Sequence, residues 1–237
     1  MTLHLHGIVR AARPLPDGSP FRLVEVEDVA VVVSDRVEDR ALTEQEATAH
    51  LAGLCALLPG GPVLPLRIGT TAVDEAAARA AVLALVVPVL RGRLDRLDGM
   101  AELHVRLVFE EDVVVRGVYH EGGFTGGGPD LATTIARGEL IARRIEAWCA
   151  KRADGLLTPV SALAGAVVSL ATREATVQLR AFLVPLDQAG AVRAAVARLG
   201  AEGVVATCAG PLPAFHFLDP APHRGQPENP PSSRWGW

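Results

Sequence analysis

The chain is short of aromatic residues, lysine, cysteine and long apolar runs, and each shortage removes a class of protein. Aromatic side chains make up only 4% of the 237 residues while 49% are hydrophobic, so Leu, Val and Ala must supply most of any core. Lys151 is the one lysine among 23 basic residues, the rest being arginine. The formal net charge is −4 and no basic run stands out, so the electrostatic footprint of a nucleic-acid binder is missing. Cys55, Cys149 and Cys208 are odd in number and widely separated, which argues against a disulfide framework and against a CxxC zinc site. Each sits among aliphatic residues, where cysteine acts as a small buried hydrophobe. The longest apolar stretches, Ala80–Leu90 and Leu156–Ala171, fall short of the ~20 residues that span a bilayer, and both contain proline. His4 and His6 stand where a signal peptide needs its apolar region. These features lead to the expectation of a soluble cytoplasmic protein with no nucleic-acid or membrane partner.

The patterning that is present divides into two halves. "LHLHGIV" (Leu3–Val9) alternates as a strand does, and Phe21–Ser34 reads as two strands turned at Glu27-Asp28. A helix follows, with Thr43 and Glu46 at capping-box spacing and Ala47, Leu51, Leu54, Cys55 and Leu58 on one face. Pro59-Gly60 stop it. "GPVLPLRIGTT" (Gly61–Thr71) reads as a short strand framed by prolines, with Gly69 turning the chain into the next helix. That helix begins near Asp74, carries a buried stripe of Val82, Val86, Leu90, Leu94 and Leu97, and is expected to kink at Pro88. "MAELHVRLVFE" is the cleanest strand, with Glu102, His104 and Arg106 on one face and Leu103, Val105, Leu107 and Phe109 on the other.

The glycine-rich segment His120–Asp130 reads as a linker. Beyond it come a helix over about Leu131–Lys151, a hairpin around Arg173-Glu174, a helix from Asp187 to Leu199 with Val192 and Val196 inward, and a last strand in "GVVATCAG". The fold expected is α+β in two domains: a ferredoxin-like sheet with helices on one face over residues 1–118, and a smaller α+β domain over 131–218. Residues 119–130 form the linker. Residues 219–237, rich in proline and polar side chains, are expected to stay disordered.

The chemical candidates are few. His4 and His6 share a strand face, and His104 is a possible third ligand, so a metal-binding enzyme or sensor is one alternative reading. No acidic or cysteine ligand lies near them in sequence, and the favoured reading is that they are polar residues on the second sheet face. "GGFTGGGPD" lacks the GxxxxGK[ST] order of a phosphate loop. Glu110-Glu111-Asp112 has the look of a solvated charge cluster. Ser34, Ser161 and Ser169 lie outside any G-x-S-x-G elbow. No constellation carries a reaction, so neither a catalytic residue nor a cofactor is expected. Arg67 stands apart, because an arginine in an apolar strand needs a partner. Glu102 is one internal candidate, and a carboxylate of another chain is the functional one.

Two stretches carry a family resemblance. "PVLPLRIGTT" resembles the P-V-L-P-x-R-F-G-T motif of the gas vesicle protein GvpL/GvpF family, and "GPLPAFHFLD" resembles its closing G-P-W-P-P-Y-S-F motif. "LHLHGIV" is similar to its Y-x-Y-G-I first strand, and the helix carrying His50 precedes the first motif as in the family. The departures are Ile68 for Phe, and Leu212, Ala214, Phe215 and His216 for Trp, Pro, Tyr and Ser. His4 and His6 stand where aromatics are common. The resemblance implies a non-enzymatic component of gas vesicle assembly that resides at the vesicle and contacts the main shell protein GvpA and other accessory gas vesicle proteins. It marks Pro65, Arg67, Gly69, Thr70, Gly210, Pro211, Pro213, Phe215 and Phe217 as signature or partner-contact residues.

Overall fold

In a computed structural model, residues 2–16, 18–36, 43–121, 131–199 and 203–219 are described. The first sheet is assembled on β1 (Thr2–Arg10). On one side β1 pairs antiparallel with β3 (Val29–Arg36), which pairs with β2 (Arg22–Val26) through a two-residue turn at Glu27-Asp28. On the other side two short strands, β4 (Leu64–Pro65) and β5 (Thr71–Ala72), each pair antiparallel with a different end of β1. The register of β1 against β3 slips between Leu5 and Gly7, so His6 occupies a β-bulge.

Sequence alternation predicts one polar and one apolar face for β1, yet every residue from Leu3 to Val9 is buried. Helices cover both faces rather than one. Leu54 and Leu57 of α1 (Glu44–Leu57) cluster with Val9, Ala30 and Val32. Arg10, the neighbour of Val9 and therefore on the opposite face, pairs with Asp95 at 2.8 Å and Asp98 at 3.1 Å beside α3 (Val87–Arg96). The α+β class stands, with the helices distributed over two faces.

Local chemistry sets the helix ends. Thr43 Oγ1 accepts the Glu46 N–H while Glu46 Oε2 accepts the Thr43 N–H, which completes the predicted capping box. The buried side of α1 is His50, Leu54 and Leu57, whereas Leu51 is exposed, so its inward stripe is rotated from the predicted one. The helix expected to kink at Pro88 is two helices, α2 (Glu75–Leu83) and α3. Proline lacks the N–H and its ring clashes with the carbonyl four residues earlier, so the chain breaks at Ala84–Val86 and restarts with Pro88 in the first turn of α3. Val86 takes φ 61° there and is exposed, while Val82, Leu90, Leu94 and Leu97 are buried.

The second sheet has the order β7-β8-β6-β9, from β6 (Met100–Phe109), β7 (Ala166–Leu170), β8 (Val177–Pro185) and β9 (Val204–Leu212). The strand that the sequence grouped with the first half, β6, pairs here. Its predicted inward row, Leu103, Val105, Leu107 and Phe109, forms one core with Val114 and Val118 of α4 (Glu111–Glu121). Cys149, Ala153, Leu157 and Val160 of α5 (Leu131–Ser161) and Val192 and Val196 of α6 (Ala189–Ala197) complete it. The helix α4 was not expected: Glu111 and Asp112 are its first-turn acids, well placed against the helix dipole. The predicted hairpin pairs Ala166 with Leu183 through Leu170 with Leu179. By contact density the chain divides into one unit of Met1–Glu102 with Pro211–Trp237 and another of Leu103–Gly210. The linker expected at 119–130 and the tail expected at 219–237 fall almost wholly outside the described residues.

One close approach fixes the first sheet. A Cβ added at Gly7 meets the Leu64 carbonyl oxygen at 2.9 Å and Val63 Cγ1 at 3.0 Å. Backbone on the neighbouring strand cannot step aside as a flexible side chain does. Gly7→Ala is therefore expected to lower the unfolding free energy by about 1–3 kcal/mol. Gly92→Ala, exposed in α3 with nothing within 4 Å of its Cβ, is expected to leave stability unchanged or raise it by up to ~1 kcal/mol. Urea denaturation of both variants measures the contrast.

Candidate functional site

The bulge in β1 brings three imidazoles together. His4 and His6 come from β1 and His50 from the inward side of α1, and all three are buried. His6 Nδ1 and His50 Nδ1 share a hydrogen bond of 2.8 Å, and His6 Nε2 and Ser34 Oγ of β3 share another of 2.8 Å. Ring centroids are 4.3 Å apart for His4 and His6, 4.8 Å for His6 and His50, and 5.3 Å for His4 and His50. Phe21 lies against His6 at 4.6 Å. The third member of the cluster is His50, not His104, which lies on β6. Sequence alone placed His50 on a helix before the first signature but gave no sign of its direction.

Burial sets the charge state. Desolvation first, then repulsion from His4 and His50, pushes the His6 pKa down to about 3. Desolvation, then His4, pushes His50 down to about 4. The Ser34–His6–His50 chain has the connectivity of a nucleophile and its base, but a base of pKa about 3 abstracts protons poorly at neutral pH. Burial also raises all three thiols, Cys149 to about 11, so none is an activated thiolate.

Above the bulge sits the first signature. Pro62 through Leu66 are buried, and Arg67, Ile68 and Gly69 are exposed. Leu66 N–H donates to the His6 carbonyl at 2.9 Å, and Leu5 N–H donates to the Thr70 carbonyl at 2.9 Å. Between these two anchors the chain turns: Thr70 N–H and Thr70 Oγ1–H both donate to the Arg67 carbonyl, at 3.1 and 2.6 Å. Gly69 takes φ 86°, which a side chain disfavours, and its N–H donates to His4 Nε2 at 3.4 Å. Arg67 is thus on a turn tip in water, where no internal carboxylate is required. Glu102, one candidate partner for Arg67 in the sequence, is engaged elsewhere. Glu102 is fully buried, and its carboxylate accepts the His216 N–H at 2.9 Å and pairs with His216 Nδ1 at 2.6 Å.

That pair anchors the closing signature. Arg96 of α3 donates to the carbonyls of Phe217, at 3.1 Å, and of Leu218, and Arg93 pairs with Asp219. Pro213, Ala214, Phe217 and Leu218 are buried, whereas Phe215 is exposed. Gly210, at φ 120°, and Pro211 are half-buried at the end of β9, and the Gly210 carbonyl accepts from Arg193. The nine signature residues therefore separate: Pro65, Pro213 and Phe217 face inward, and Arg67, Gly69 and Phe215 face out. Arg13 was missed by sequence reading. It is buried and donates to the carbonyls of Gly61 at 3.2 Å and Pro62 at 3.4 Å, holding the entry to the first signature. In sequence it is one arginine among many.

The buried histidines make stability depend on pH. Below the unfolded value of 6.5 the unfolded chain takes up protons that folded His6 and His50 refuse. Their contribution is complete above 6.5 and is lost as pH falls toward their folded values. His216 has the opposite sign: bonding to Glu102 raises its pKa, so its contribution is present below 6.5 and fades as pH rises through the raised value. From pH 7.5 to 5.5 the unfolding free energy is expected to fall by about 1 kcal/mol for each of His6 and His50, offset in part by His216. Urea titrations in chelating buffer check this, and His216→Ser is expected to steepen the loss.

Comparisons with known proteins agree with this architecture. A gas vesicle protein F from Streptomyces sp. (strain CB03234) is 27% identical over 239 residues, covering 92% of this chain and all of that protein. The fold is similar to crystal structures of gas vesicle protein GvpF from Microcystis aeruginosa and from Anabaena sp. PCC7120. The first has a TM-score of 0.76 at 15% identity and covers 92% of this chain and 99% of the other. The second has a TM-score of 0.72 at 15% identity and covers 93% and 99%. The sequence matches the gas vesicle synthesis protein GvpL/GvpF family over residues 3–219, so this chain belongs to that family.

Proposed function

We propose that this chain is a non-enzymatic assembly component of gas vesicles that binds the main shell protein GvpA and acts together with other accessory gas vesicle proteins at the vesicle, within the cytoplasm. The observation that carries this reading is the division of the two signatures. Pro62, Pro65, Pro213 and Phe217 are buried and hold the backbone, while Arg67, Ile68 and Phe215 are exposed. Ile68 is 41% and Phe215 36% exposed, and Val73 just beyond the first signature is 69% exposed. An exposed guanidinium next in the chain to an exposed apolar Ile68 suits a partner that offers an apolar face with a carboxylate nearby. A small apolar shell subunit aggregates through open edges and faces when unpaired, and a chain of this kind covers such a surface until the shell grows.

The same physics disfavours a reaction. The thiols are protonated, His6 and His50 are weak bases, and Ser34 is paired with His6. Binding remains as the work for the exposed signature residues.

Capture of purified shell protein by the immobilised full chain tests the proposal. Arg67→Ala combined with Phe215→Ala is expected to weaken capture by about tenfold or more, the scale of a truncated interface anchor, with unfolding unchanged. Capture equal to that of the unsubstituted chain removes this surface from the account.

A further inference from the structure

We propose that His4, His6 and His50 form a binding site for one divalent ion of the zinc class, set between β1 and α1. Three imidazoles, each offering one nitrogen, have those atoms within 4.8 Å of one another. A tetrahedral ion with Zn–N bonds of 2.0–2.1 Å holds its nitrogens about 3.3 Å apart. The His6 and His50 Nδ1 atoms stand at 2.8 Å, so that pair opens by about half an ångström, and the third nitrogen, within 4.8 Å of them, moves in by up to about 1.5 Å through side-chain rotation. Without an ion the two nitrogens must share a proton, one donating and the other accepting. An ion replaces that proton and binds both lone pairs.

The surroundings support a built site. The bulge at His6 interrupts the pairing of β1 with β3 where the imidazoles gather, and α1 supplies the third from across the interface. Ser34 Oγ, at 2.8 Å from His6 Nε2, is placed as an outer partner that fixes ring orientation and leaves Nδ1 free to ligate. His4 Nε2 accepts the Gly69 N–H at 3.4 Å, so the site lies directly beneath the exposed turn of Arg67–Thr70. Phe21 closes one side with an apolar ring. Three neutral nitrogen donors select zinc, cobalt or nickel over the oxygen-seeking magnesium and calcium. The inference is independent of shell binding, since it concerns the sheet–helix interface and not the exposed tip.

The full chain, stripped with a chelator and dialysed, is titrated with Zn2+ and separately with Co2+. The expected result is one ion per chain, a cobalt visible spectrum of tetrahedral intensity, and zinc-edge X-ray absorption showing three imidazole nitrogens at about 2.0–2.1 Å. Ser34→Ala is expected to weaken zinc binding about 10- to 100-fold, and His50→Gln to abolish it. His216→Gln, outside the cluster, is expected to leave it unchanged. The absorption experiment needs only the unsubstituted chain, so a variant that fails to fold does not decide the matter. No stoichiometric uptake, a shell without three imidazoles, or full binding by folded His50→Gln overturns the proposal.

Discussion

The first half of this chain depends on burying β1 along its whole length and on both faces. A strand covered on two sides cannot tolerate a charged or unpaired group on either, and β1 carries two histidines. The structure resolves this by grouping polar with polar: His4 and His6 meet His50, and Ser34 takes the remaining nitrogen of His6. The cost of desolvation is met by keeping His6 and His50 uncharged, which is why their pKa values fall so far below the ordinary 6.5. Gly7, next in the chain, has no side chain because Leu64 of β4 passes against it.

The signatures follow from the same strand. β4 and β5 each take one end of β1, and the stretch between them has nowhere to go but outward, as the Arg67–Thr70 turn. The buried prolines and Arg13 fix where that turn begins. The closing signature is held by different chemistry: the buried Glu102 carboxylate, Arg96 of α3 gripping backbone carbonyls, and Arg93 of α3 pairing with the Asp219 carboxylate. Both segments thus expose a short tip on an anchored frame, the arrangement expected where a loop must keep its shape to bind.

Much of this was legible in the sequence, and the failures have physical causes. Capping at Thr43, the turn at Glu27-Asp28 and the inward row of β6 are local effects, read from spacing alone. The two signatures identified the family because they join unusual residues in a fixed order. What was not legible depended on tertiary pairing. Nothing local tells that β6 joins the second sheet, that α1 turns His50 rather than Leu51 inward, or that both faces of β1 are covered. Arg67 was misjudged for the same reason: an apolar neighbourhood in sequence suggested burial, but the turn carries it into solvent. The helix α4 was hidden because its opening acids look like a solvated cluster when its core contacts are not known.

The central claim is that three imidazoles are packed, mutually bonded, between β1 and α1. Long-range proton–nitrogen NMR of the histidine rings in chelator-treated protein, followed from pH 7.5 to 5.0, tests it directly. The account predicts that His6 and His50 remain neutral throughout. Titration of both rings near the unperturbed 6.5 would contradict it, because the cluster would then be open to water.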